Sequence, residues 1–292
     1  MGFVLALIAA VGFSFKAILV KLAYAVPSPV ELSALTLLAL RMLYSLPVFA
    51  VIAWRESRTR APLNGRQWAL VTLLGMLGYY GASLFDFIGL QYISAGLERL
   101  VLAVYPTLTL LLSAALFGEK LTRRKLAACA ICYLGIGAAF MHDLHFASDD
   151  NAIWIGCGFV FASAVSYALY LLGTGPMITQ LGTQRFTALA MLVSTAIMLG
   201  HFCATTPLQA LAQPLQTQLL ALCMAIFSTI VPVFALSAAI RRIGAPTSAL
   251  VGSTGPLITI LLGWWLLHEP LSVSQLGGMV LVAGGVMLIG KR

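Results

Sequence analysis

Residues Val104–Leu121 read VYPTLTLLLSAALFGEKL, and residues Thr254–Leu271 read TGPLITILLGWWLLHEPL. An offset of 150 carries Pro106 to Pro256, Thr109 to Thr259, Leu116 to Leu266, Glu119 to Glu269 and Leu121 to Leu271. The register holds without a gap from Ile93/Ile243 through Leu126/Leu276 to Gly135/Gly285. Leucines coincide by chance in any apolar chain. A proline and a glutamate thirteen residues apart in both copies are harder to match by accident. Each stretch reads as an apolar helix kinked at its proline and ended near its glutamate. The chain is therefore expected to be two copies of one unit, residues 1–145 and 146–292, with function between them.

Composition sets the class. The 292 residues are 61% hydrophobic and 9% charged, with a mean hydropathy of +0.99, values foreign to a water-soluble domain of this length. Apolar runs of about 20 residues follow one another from end to end, as bilayer spans require. They read as ten helices at roughly 2–24, 32–54, 68–90, 97–117, 126–141, 152–172, 186–203, 218–240, 247–267 and 274–290. Lipid offers backbone groups no partner outside a helix or closed barrel, and barrel strands would alternate apolar and polar residues. The expected fold class is thus an all-α membrane protein. The first run lacks a basic leader segment and reads as a retained helix.

The net charge of +8 is not a nucleic-acid footprint, because the basic residues sit in short loops between spans. Arg55, Arg58, Arg60 and Arg66 follow the second span; Lys120, Arg123, Arg124 and Lys125 follow the fourth. Arg185, Arg241, Arg242, Lys291 and Arg292 continue the series on the same side, while the opposite loops collect Glu31, Asp143, Asp149, Asp150 and Glu269. The positive-inside rule places the basic loops and both termini in the cytoplasm. Arg123-Arg124-Lys125 corresponds to Val273-Ser274-Gln275 in the second copy. Five spans per unit require that copy to sit upside down, and its loss of basic residues fits. Inverted repeats rocking about a site near the midplane are a transporter architecture.

The paired helix ends FGEKL and LHEPL, the opening GFSFKAILVKLAY and the stretch GLQYISAGLERLVLAVYPTLTLLLSAALFGEKLTRRK resemble the drug/metabolite transporter superfamily, of the EamA type. The likeness covers essentially the whole chain. It implies an inner-membrane carrier for small polar metabolites, often amino acids, usually working as an exporter.

Charges inside the membrane point to the site, since each costs roughly 2.5–3.5 kcal/mol at a helix centre on insertion scales. Lys16 lies within the first span, Arg41 in the second and Asp86 in the outer part of the third, with Glu98 and Arg99 opening the fourth. Lys21 is near enough to a helix end to snorkel. The second half has no counterparts: Leu236 stands where Asp86 maps, Ser248 and Ala249 where Glu98 and Arg99 map. Asp86 is expected to pair with Arg41 or Lys16, either as a helix tie or as a coupling site. Glu98 and Arg99 are as compatible with the outer headgroup region as with a cavity. Basic residues outnumber the one clearly intramembrane acid, which favours a carboxylate-bearing solute as relief. Asp86 or Glu98 is the protonation candidate; Lys16 or Arg41 is the solute's partner.

Tyr79, Ser83 and Asp86 share a helix face by spacing. Tyr105 precedes a proline, and Ser163, Ser166, Tyr167 and Tyr170 give the sixth span a polar stripe suited to interhelical hydrogen bonds or ligand contact. Pro106, Pro232, Gly252, Gly255 and Pro256 are the helix-break and gating candidates. Glycines on the tenth span suit close helix contact or a homodimer interface. Cys129-xx-Cys132 lies in an apolar run without further ligands, and His142, Asp143 and His145 read as a solvated loop, so neither suggests a metal or other cofactor. No P-loop, HExxH, GxSxG or GxGxxG occurs. The alternatives are a broad-specificity drug exporter, whose pocket should be mostly aromatic and apolar, and a membrane enzyme or scaffold, for which no catalytic constellation is visible.

Overall fold

The computed structural model describes residues 1–58, 60–118, 122–146, 150–243, 248, 251–252, 254–270 and 272–290. Glu119, Lys120, Leu121, Asp149, Ala249, Ser253, Leu271, Lys291 and Arg292 lie outside the described residues, as do the side chains of His142, Asp143, His145, Asp150 and Arg241. Ten helical spans follow one another: α1 (Gly2–Tyr24), α2 (Ala34–Ser57), α3 (Gly65–Gly89), α4 (Ala95–Phe117), α5 (Arg123–Phe146), α6 (Asp150–Leu181), α7 (Thr183–Thr205), α8 (Leu215–Ile243), α9 (Gly255–Leu267) and α10 (Val273–Gly290). No strand occurs among the described residues. Seven of the helices, α1 to α4 and α6 to α8, are long and apolar enough to cross a membrane.

Polar caps start several of them. Ser33 accepts the Thr36 N–H at 3.1 Å, Ser94 accepts the Leu97 N–H at 3.1 Å, and Asn64 with Gln67 forms a reciprocal capping box on α3. Each supplies an acceptor to amides that have no intrahelical partner. Large apolar residues face outward, and all five tryptophans (Trp54, Trp68, Trp154, Trp264 and Trp265) are exposed on the surface of the bundle. In water such a surface would aggregate; in lipid it is solvated, with tryptophan suited to the interface.

The offset of 150 reappears in the backbone. The α3 span begins at Gly65 and α8 at Leu215, and each is interrupted by a π-helical turn, Met76–Gly81 in one and Ile226–Ile230 in the other. The second segment of α4, Tyr105–Phe117, matches α9, Gly255–Leu267, at 13 residues each. Both carry proline in the first turn and end on a left-handed residue, Gly118 at φ 69° and His268 at φ 54°. Packing follows the same exchange of five helices. The α2 helix lies on α7 and α5 on α10, while the α1–α8 and α1–α9 contacts have counterparts in α6–α3 and α6–α4. On α5 and α10, a Cβ at Gly135 would stand 2.5 Å from the Gly278 carbonyl oxygen, and one at Gly285 2.7 Å from that of Ala128. Gly285 is therefore required for contact within the chain, whereas Gly277 and Gly284 face open space.

Two local expectations change. The break in α4 falls at Ala103–Val104, ahead of Pro106. Pro106 occupies the first turn of the new segment, where an amide would lack an intrahelical partner anyway. The α6 helix runs to Leu181, well beyond the expected end at 172, and carries Pro176 inside it. Its extra turns place Met177 and Leu181 in a core with Val71, Leu74, Phe186 and Leu189, so burial rather than the apolar run decides its length.

Candidate functional site

Three charged side chains from three helices meet in the interior. The Lys16 ammonium of α1 lies 2.8 Å from Asp86 Oδ2 of α3 and 3.4 Å from Glu98 Oε1 of α4. The Asp86 and Glu98 side chains are 2% and 0% exposed, that of Lys16 18%. Glu98 is thus a core residue and not a headgroup charge, which corrects the count of one intramembrane acid. It is buried because the break at Ala103–Val104 confines α4's first segment to Ala95–Leu102, packed on α6 and α9. Ion pairs this deep offset a desolvation penalty of several kcal/mol per ion only when the partners stay together.

Arg41 does not join them. Its Nη2 donates to Ser83 Oγ at 3.0 Å, and its guanidinium stands over the Phe87 ring, 5.0 Å from the centroid. Of the two partners that the sequence left open for Asp86, the one in contact is Lys16 and not Arg41. Ser83 and Asp86 lie on one face of the same helix, yet one answers α2 and the other α1.

Arg99 is the cation left over. It is half-buried, and no carboxylate lies within 4.0 Å of it among the described residues. Its guanidinium packs on Gly255, at the start of α9, where a Cβ would approach Nη2 to 2.9 Å. Electrostatically it acts on Asp86 and Glu98 on one side and on Tyr105 and Tyr167 on the other.

The sequence-nominated tyrosines form a row. Tyr105 meets Tyr167 edge-on at 5.1 Å, Tyr167 stacks on Tyr170 at 5.6 Å, and Tyr170 meets Tyr79 at 5.3 Å with the two hydroxyls 3.0 Å apart. The row crosses from α4 over α6 to α3 and ends beside Arg99. Ser163 and Ser166 serve the backbone, donating to the carbonyls of Ala82 at 2.6 Å and Leu77 at 2.7 Å. Leu77 sits inside the π turn, and its carbonyl also accepts the Ala82 N–H in the i to i+5 pattern of that turn.

A cavity of about 600 Å³ opens at the end of the bundle near these groups, lined by Lys21, Tyr24, Glu31, Gln91 and Glu269 among others. It is of ordinary ligand-pocket size. Lys21 lines this cavity and faces Glu269. Glu269 also accepts the backbone N–H of Ala95 at 2.9 Å and of Gly96 at 3.4 Å, so an acid from the second copy caps the first turn of α4. The dipole of that turn favours a negative charge there. Sequence reasoning singled out Glu269 as a repeat marker and an outer-loop acid; its partner was hidden because the two segments are 174 residues apart.

Three of the gating candidates, Gly252, Gly255 and Pro256, lie at one joint. Val251 and Gly252 are helical, Thr254 turns with its N–H on the Val251 carbonyl at 3.1 Å, and α9 restarts at Gly255-Pro256. Ser14 of α1 donates to the Gly255 carbonyl at 3.0 Å. Pro232 lies two residues beyond the second π turn and abuts Gly12 of α1. Cys132 Sγ donates to the Val282 carbonyl at 3.6 Å, a packing role, and no group of three or more metal-binding side chains occurs among the described residues.

The model of the EamA-like transporter family matches residues 1–141 and 154–291. The chain is 29% identical to "Uncharacterized transporter YcbK" of Bacillus subtilis (strain 168), over 99% of this chain and 91% of that protein. It is 26% identical to a "Probable terminal-alkyne amino-acid exporter" of Streptantibioticus cattleyicolor, over 78% of this chain and 75% of that protein. A solved crystal structure superposes with a TM-score of 0.67 at 19% identity, covering 99% of this chain and 96% of that one, a likeness of fold. With the family model spanning nearly every residue of both copies, the chain belongs to the EamA-like transporter family.

Proposed function

We propose that this transporter is a secondary carrier moving a small carboxylate-bearing metabolite, foremost an amino acid, outward across the bacterial inner membrane by alternating access. The observation that carries the reading is Arg99, a half-buried guanidinium without a carboxylate within 4.0 Å among the described residues, beside a tyrosine row and a broken helix. Lys16 is already shared by two acids, and Arg41 is held by Ser83 and Phe87. That leaves Arg99 as the cation best placed for a solute, and guanidinium is the side chain suited to bidentate carboxylate recognition. Tyr105 and Tyr167 would form the wall against the rest of the molecule. The relative named as a probable terminal-alkyne amino-acid exporter supports the same class.

In this reading residues 1–145 and 146–292 are inverted five-helix units with both termini cytoplasmic. The 600 Å³ cavity at the Glu31 and Glu269 end is then the outer vestibule. The joints at Ala103–Val104 and Thr254–Gly255 are the places where each half bends. Metabolites released by cells overexpressing the protein, compared with cells carrying Arg99→Gln, test the proposal. Carboxylate-bearing solutes should be enriched outside only with the unsubstituted protein. Enrichment of permanently cationic compounds instead, unchanged by Arg99→Gln, would establish a drug exporter.

A further inference from the structure

We propose that Asp86 and Glu98 hold one proton between them beside Lys16, and that this proton binds cooperatively with a carboxylate at Arg99. The cooperativity rests on Arg99 being the solute's partner; the proton site does not.

Both acids reach the same ammonium nitrogen, at 2.8 Å and 3.4 Å, so their carboxyl groups converge on one cation in a site closed to water. Two carboxylate ions offer only acceptors, so neither can compensate the other unless one carries a hydrogen. Lys16 apart, no donor reaches any of the four carboxyl oxygens among the described residues. One ammonium can balance one of the two charges, and like charges this close in a buried site do not both persist. The surrounding groups are occupied elsewhere. Tyr24 donates its hydroxyl to the Phe87 carbonyl at 2.9 Å, Arg41 to Ser83, Lys21 faces Glu269, and Arg99 stays beyond 4.0 Å of both acids. On α6, Tyr167 faces Arg99, and on α9 Thr259 bonds to backbone.

Arg99 couples this proton to the solute. Losing the proton adds a second negative charge within the field of Arg99, which then competes with a solute carboxylate for the same guanidinium. Keeping it leaves Arg99 free to attract the solute. By linkage, a bound carboxylate tightens the pair's hold on its proton by the factor by which the proton tightens carboxylate binding. Affinity for the carboxylate therefore rises as pH falls. The sequence offered Asp86 or Glu98 as the protonation candidate, but not the sharing of Lys16 by both, because the three residues lie more than ten positions apart in the chain.

Infrared spectroscopy of the full chain in liposomes tests the proton site without any solute. The wild type should show the C=O stretch of a protonated, solvent-shielded carboxylic acid at neutral pH, and Glu98→Gln and Asp86→Asn should each remove it. Absence of that band, or its survival in both variants, would overturn the proposal; should one variant fail to fold, the other and the wild-type spectrum decide. Binding of the twenty common amino acids, followed by intrinsic fluorescence on either side of neutrality, tests the coupling. Affinity for those that bind should rise severalfold on the acid side in the wild type and stay flat in Glu98→Gln. Equal affinity on both sides in the wild type would refute the coupling alone. Failure of all twenty to bind would remove the Arg99 reading and its cooperativity, with the infrared band still deciding the proton site.

Discussion

The ammonium of Lys16 stands 2.8 Å from Asp86 Oδ2, tying α1 to α3 inside a bundle whose buried residues are mostly apolar. Removing one member of such a pair leaves the other charge buried alone, at a cost of about 3–5 kcal/mol. Lys16→Met is therefore expected to lower the unfolding midpoint in detergent more than Asp86→Asn does. The double substitution Lys16→Met/Asp86→Asn should recover part of the loss. A Lys16→Met protein as stable as the wild type would show that the pair holds nothing together.

Glu269 ties the second copy to the first through the Ala95 and Gly96 amides. A lost cap of this kind costs about 0.5–2 kcal/mol. Glu269→Ala should raise hydrogen exchange over Ala95–Leu97, while Glu269→Gln, which keeps a carbonyl acceptor, should change it little. Unaltered exchange in Glu269→Ala would mean that Ser94 alone holds the turn.

Arg41 has structural partners and no acid among its hydrogen bonds. Arg41→Gln should destabilise by about 1–3 kcal/mol through Ser83 and Phe87, yet leave the half-saturating solute concentration near its wild-type value. A large rise in that concentration without loss of stability would return Arg41 to the solute site.

Packing of α3 on α7 leaves no room at Gly75, where a Cβ would stand 2.7 Å from the Ala190 carbonyl oxygen. Gly75→Ala must displace backbone, and overpacking of this type costs about 1–3 kcal/mol. Gly200→Ala, with open space around it, is the control and should be tolerated. Equal melting curves for the two would contradict the close approach.

The proposed inversion of the two copies would place Arg124 in the cytoplasm and Ser274 outside. In a Cys-less background, an impermeant thiol reagent applied to intact spheroplasts should label Ser274→Cys and spare Arg124→Cys. The reverse pattern would refute the inverted arrangement.

The fold was legible because lipid imposes helices and the repeat is written in residues that matter to the backbone. Pro106/Pro256 and the 150-residue offset foretold two matched 13-residue segments. The π turns at Met76–Gly81 and Ile226–Ile230 left no trace in hydropathy, because a π turn adds one residue without changing apolar character. At the site, the residue list was readable from the cost of charge in lipid, but the pairing was not. Asp86 could reach Lys16 or Arg41 by sequence alone; the choice depends on which helix packs beside α3 at that depth. Glu98 looked peripheral because it opens a span, and only the packing of α4 against α6 and α9 shows that its first turn is already inside.

Recognition of a carboxylate by Arg99 is tested most directly by counterflow in proteoliposomes. Radiolabelled amino acids should exchange in the wild type, and the corresponding carboxamides, which differ only in lacking the negative charge, should compete at least about tenfold more weakly, as loss of one charge-assisted contact of roughly 1.5–3 kcal/mol implies. In Arg99→Gln that preference should vanish while membrane insertion and the melting curve are retained. Undiminished discrimination between acid and amide in Arg99→Gln would contradict the assignment of the solute's carboxylate to this residue.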